Sequence, residues 1–92
     1  MITSFRHRGL EKFYRTGSKA GIKPGHAKRL ETVLGIMDAA TDLNNMDLAG
    51  WDLHPLQPPL RGHWSVKISR MWRVTFTFDG KDCEIVDYQD YH

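Results

Sequence analysis

Gly62-His63-Trp64-Ser65-Val66-Lys67-Ile68-Ser69-Arg70-Met71-Trp72-Arg73-Val74-Thr75-Phe76-Thr77-Phe78 is the stretch that decides the fold. Trp64, Val66 and Ile68 alternate with His63, Ser65, Lys67 and Ser69. Trp72, Val74, Phe76 and Phe78 alternate with Arg73, Thr75 and Thr77. A period of two is the mark of a strand with one buried and one polar face. Ser69-Arg70-Met71 is short enough to close a hairpin between the two, although it lacks glycine. Asp79-Gly80 is a strong turn signal and returns the chain into a third strand, Cys83 to Tyr88. In this pattern Lys67 and Arg73 fall on the polar faces of adjacent strands.

Upstream, the period changes. Ile2 to Phe5 is long enough for a short strand. Leu10, Phe13 and Tyr14 sit at helical spacing, with Gly17 as a stop. Lys23-Pro24-Gly25 opens a second helix, proline being tolerated in a first turn. There Ala27, Leu30, Val33, Leu34, Met37 and Ala40 form one apolar stripe. Asp42 to Trp51 is a polar connector. The expected architecture is α+β, with two N-terminal helices packed on one face of a small antiparallel sheet. Trp64 and Trp72 point inward and are expected in the core, whereas Trp51 suits core or surface. His7 and His26 are expected to be exposed. The open polar face of the sheet is free to serve as a binding surface.

A chain of 92 residues, 40% of them apolar, supports one globular domain spanning residues 1–92. No apolar run approaches the ~20 residues of a membrane helix, and the N-terminus leads into no signal-peptide core. The single Cys83 excludes an internal disulfide, which fits a reducing cytoplasm, and it reads as a buried strand residue.

The net charge of +2 hides an asymmetry. Arg6, Arg8, Lys12, Arg15, Lys19, Lys23, Lys28 and Arg29 face only Glu11, and Arg61, Lys67, Arg70 and Arg73 face no acid at all. Such segregation suits an anionic partner. Arg73 occupies an outward slot in a strand otherwise built of apolar residues and threonine. Its forked donors match phosphate oxygens, and a rigid strand would hold them against charge developing on phosphorus. The sequence closes with Asp90-Tyr91-His92, an acid, a phenol and an imidazole. His92 and His54 are the acid–base candidates, since an imidazole exchanges protons near neutral pH. Asp90 or the chain's own α-carboxylate is available to orient His92, and Tyr91 to hydrogen-bond a phosphate or stack on a base. The five histidines are scattered, and no spacing resembles a metal site or calls for a cofactor.

Leu53-His54-Pro55-Leu56, Arg61-Gly62-His63-Trp64-Ser65-Val66, Trp72-Arg73-Val74-Thr75-Phe76 and Asp90-Tyr91-His92 together resemble the HigB-type toxins of the RelE superfamily, from bacterial type II toxin–antitoxin modules. Ile2-Thr3-Ser4-Phe5 and Asp38-Ala39-Ala40-Thr41 also match, so the resemblance runs the length of the chain. It implies a compact cytoplasmic α+β endoribonuclease that enters the ribosomal A site and cleaves translated mRNA. It implies a helix-turn-helix antitoxin of the HigA type as partner, with operator DNA bound only through the complex. It makes His54 and His92 the acid–base pair, with Asp90 orienting the site. Tyr91 then positions substrate, Arg73 stabilises phosphate, and Arg61, Lys67 and Arg70 bind RNA or ribosome. Attack of the ribose 2′-OH on phosphorus without a metal would leave a 2′,3′-cyclic phosphate. Family members carry a lysine after His-Pro-Leu. Here Gln57 stands there, so that cation is either missing or replaced by Arg61 or Lys67.

Two other functions fit the same fold. A ParE-like toxin would act on DNA gyrase without an RNase site. A basic module would bind RNA or ribosome without cleaving. Retention of His54, Arg73, Tyr91 and His92 together favours the RNase.

Overall fold

The computed structural model describes residues 1–90. Helix α1 spans Arg8–Thr16 and helix α2 spans Ala27–Ala39. Strands β1 (His54–Pro55), β2 (Trp64–Lys67), β3 (Trp72–Phe78) and β4 (Cys83–Asp90) form one sheet in the order β1-β2-β3-β4, every pair antiparallel. This is the expected α+β arrangement, enlarged by β1 and by two residues at the end of β4.

Local chemistry sets the helix limits. The His7 Nδ1 accepts the Leu10 N–H and so caps α1, satisfying one of the donors a helix start leaves bare. Gly17 ends it at φ 79°, a left-handed conformation glycine adopts without steric cost. Pro24–His26 form a 3-10 turn that leads into α2. A side chain at Gly9 would place its Cβ 2.5 Å from the Gly21 carbonyl oxygen, so two glycines let the segment after α1 fold back onto it.

Ala27, Leu30, Val33, Leu34 and Met37 of α2 are buried, as the apolar stripe requires. They share one core with Leu10, Phe13, Val66, Val74, Phe76, Cys83 and Val86. Met46 and Trp51 enter it too, so the connector is polar in composition yet pinned by two apolar anchors. Asp38 ties three segments together. Its Oδ1 accepts the Ile2 N–H at 2.9 Å and the Tyr14 hydroxyl at 2.8 Å. Ile2 and Phe5 form single parallel bridges to Cys83 and Val86, so the first residues flank the outer edge of β4.

Three expectations need correction. Trp64 and Trp72 are half-buried at the margin of the core, because each stands near an end of its strand. Trp72 stacks on Tyr88 with ring centroids 4.5 Å apart. His7 and His26 are not free surface groups: His7 is the cap just described, and His26 Nδ1 bonds the buried Tyr88 hydroxyl. Burial, aided by the nearby Lys23 charge, holds the His26 imidazole below its ordinary range. Ser65 and Thr75 lie on the polar face yet are buried, because longer side chains of neighbouring strands cover them.

Candidate active site

The site is built where the connector meets the polar face of the sheet. The Trp51 ring is buried, and its carbonyl accepts the Lys67 N–H at 2.7 Å. Arg29 of α2 donates to the Gly50 and Lys67 carbonyls, clamping connector and β2 together. The chain then turns at Asp52, which has φ 49°, a left-handed conformation uncommon outside glycine but best tolerated by Asp and Asn. Two residues later His54 enters β1 and pairs with Ser65.

That turn points Asp52 at two of the residues singled out by sequence. Arg73 Nη2 donates to the Asp52 carboxylate at 2.7 Å. Arg73 Nη1 donates to Ser65 Oγ at 3.3 Å and to the Asp52 main-chain carbonyl at 3.5 Å. The guanidinium side chain is only 16% exposed, so these contacts fix it. The hydrogen bond from Arg73 holds the Asp52 carboxyl below its ordinary range; desolvation opposes this, and the charges of Arg73, His54 and Lys67 add to the lowering. His54 Nδ1 lies 2.9 Å from the same carbonyl and 3.9 Å from the carboxylate. Lys67 stands directly opposite Arg73 in the β2–β3 register, and Gln89 stands opposite Arg73 on the other side. Gln89 donates to Thr75 Oγ1 at 2.9 Å, completing a polar floor of Ser65, Thr75 and Gln89 beneath the cations.

The structure therefore brings His54, Arg73 and Lys67 onto one surface. Asp90 ends β4 opposite Trp72, one position beyond Gln89. Tyr91 and His92 lie outside the described residues. Arg61 and Arg70 are exposed, the first in the loop before β2 and the second in the β2–β3 turn. A concavity of about 390 Å³ beside His54 is lined by Pro55, Leu56, Gln57, Pro58, Pro59 and Leu60. Among the described residues no group of three or more His, Cys, Asp or Glu is placed to hold a metal ion. Nor is any described helix long and apolar enough to cross a membrane.

Asp52 is the site residue that sequence reading missed. It stands one residue past the polar connector, with no pattern around it that singles it out. Its signal, an acid two places before His54, has meaning only once the left-handed turn is known.

Residues 3–92 match the family model of the RelE-like toxin of type II toxin–antitoxin system HigB. The chain is 35% identical over 92 residues to a Proteus vulgaris protein named Endoribonuclease HigB, covering all of both chains. Among solved structures it resembles YafQ from E. coli strain BL21(DE3), with a TM-score of 0.56 and 17% identity over 98% of this chain and 93% of that one. A YafQ point variant superposes with a TM-score of 0.55 at 18% identity, with the same coverage of both chains. The YafQ likeness concerns the fold. The family match and the full-length relative decide the rest: this chain belongs to the HigB-like toxins, the RelE-like toxins of type II toxin–antitoxin systems.

Proposed function

We propose that this toxin is a ribosome-dependent mRNA endoribonuclease, cutting translated mRNA in the ribosomal A site and so stopping translation. The observation that carries this reading is the convergence of His54, Arg73 and Lys67 on one face of a rigid sheet. A phosphodiester needs an anion site, and two cations on neighbouring strands create one. In the resting protein the Asp52 carboxylate is the anion that Arg73 holds. A phosphodiester oxygen takes its place beside the fork, and the guanidinium stabilises the charge that builds on phosphorus.

The reaction then needs a base for the ribose 2′-OH and an acid for the departing 5′-oxygen. His54 and His92 supply the pair, Asp90 orients the site, and Tyr91 positions the substrate. Arg61, Lys67 and Arg70 hold RNA or ribosome. The product is a 2′,3′-cyclic phosphate, formed by proton transfers and charge stabilisation from the protein alone. The partner that neutralises the toxin is a helix-turn-helix antitoxin of the HigA type. The 35% identical relative named as an endoribonuclease supports this reading.

The test is mRNA cleavage by purified protein with and without programmed 70S ribosomes, mapped to the nucleotide. Codon-spaced cuts only with ribosomes are expected. Absence of cleavage in both cases would redirect the function to a gyrase-type target or to binding alone.

A further inference from the structure

Resting on the endoribonuclease reading above, we infer that Asp52 is a positioning residue that makes His54 the general base, its main-chain carbonyl fixing the imidazole proton on Nδ1. A carbonyl oxygen only accepts, so the 2.9 Å contact requires a hydrogen on Nδ1. A neutral imidazole carries one N–H. Its Nε2 is then a bare lone pair, ready to take a proton and unable to give one.

Asp52 touches this imidazole directly, while Lys67 of β2 and Arg73 of β3 stand on the same face of the neighbouring strands. Arg73 decides which part of Asp52 serves His54. It holds the carboxylate at 2.7 Å, while that carboxylate stays 3.9 Å from Nδ1. The carbonyl is what remains for the ring. The left-handed backbone at Asp52 aims that carbonyl at both His54 and Arg73. One residue thus sets the spacing between the base and the phosphate-binding cation.

His54 Nε2 takes the proton of the 2′-OH. The 2′-oxygen forms a bond to phosphorus, and the bond from phosphorus to the 5′-oxygen breaks. The electron pair leaves on that oxygen, which takes a proton from a separate acid. The products are a 2′,3′-cyclic phosphate and a 5′-hydroxyl, and His54 ends as imidazolium.

The tautomer is read by ¹⁵N NMR of the histidine-labelled protein alone, at a pH where the ring is neutral. A pyrrole-type Nδ1 and a pyridine-type Nε2 on His54 are expected, and the reverse pattern would overturn the inference. Asp52→Asn keeps the carbonyl and tolerates the turn, so it should retain the tautomer. Asp52→Val resists a left-handed backbone. It should lose the tautomer and at least about 100-fold in single-turnover cleavage, the scale of a displaced base. Retention of both would remove Asp52 from its role. On programmed ribosomes, RNA with a bridging 5′-sulfur at the scissile bond needs no acid, because the thiolate leaves unprotonated. His54→Gln should be slow on both oxygen and sulfur substrates. Recovery on the sulfur substrate would make His54 the acid. If the wild-type protein cleaves neither RNA, the endoribonuclease reading itself falls, and the base assignment with it, whatever the tautomer.

Discussion

Lys67 and Arg73 face each other directly across the β2–β3 ladder. Like charges at such a position repel, so the pair weakens the sheet it sits on. A fold under selection for stability alone would not place them there. Lys67→Thr is therefore expected to raise the unfolding free energy by about 0.5 kcal/mol while lowering cleavage. Urea melts beside single-turnover rates check both signs. A variant that is less stable, or that cleaves equally well, would remove the argument that the pair serves an anion.

Arg73→Lys keeps the charge but loses the fork that spans Ser65 and Asp52. The expected loss in the chemical step is about 100- to 1,000-fold, comparable with removing one donor from a preorganised anion site. Ribosome binding, followed by sedimentation, should change far less. Equal losses in both would make Arg73 a binding residue only.

Asp38 contributes to the acid sensitivity of the fold. The Ile2 N–H holds its carboxyl below the ordinary carboxylate range, burial opposes this, and the Tyr14 hydroxyl adds to the lowering. A folded-state pKa below the unfolded one gives stability that is present above the ordinary carboxylate value and lost as pH falls through the folded one. Melting curves from pH 7 down to 3 should show this loss, and Asp38→Asn should flatten it. The substitution should also cost about 1 kcal/mol at pH 7, where two donors lose a charged acceptor.

Ile85 holds φ 54° within β4, where the register against β3 slips between Thr75 and Thr77. A β-branched side chain is strained there, and this one is 42% exposed. Ile85→Gly should raise stability by about 1 kcal/mol. A drop in melting temperature would mean that the side chain contributes more than the backbone strain costs.

Cys83 is fully buried, and burial pushes its thiol up to about 11. At pH 8 it is protonated and out of reach of reagents. Iodoacetamide should label it only as the protein opens, at a rate that rises with urea. Fast labelling of the native protein would contradict the closed β4 edge.

The elements legible in the sequence were those with a sustained period. The stripe on α2 and the alternation of β2 and β3 each repeat enough for one face to declare itself. β1 was invisible because two residues, His54 and Pro55, carry no period. The bulge at Ile85 left no turn residue to mark it. Alternation gives direction but not depth, so it points Trp64 and Trp72 inward without showing that they stop at the margin of the core. In the site, Arg73 and His54 stood out by residue type, and Lys67 by its place in the alternation. Asp52 did not, because its importance comes from one backbone angle. The contact of His26 depends on Tyr88, far away in the chain, which local pattern reading does not reach.

The parallel bridges from Ile2 and Phe5 to β4 set a condition on synthesis. Ser4 accepts from Ile85, 81 residues later, so the opening segment waits unpaired through nearly the whole of elongation. Contacts this distant form late. β3 likewise lacks one neighbour until β4 is made. A nascent chain that has not yet released its last strand thus has helices and a hairpin but no finished sheet. Until that strand arrives, Arg73 lacks the Gln89 flank that faces it across the ladder.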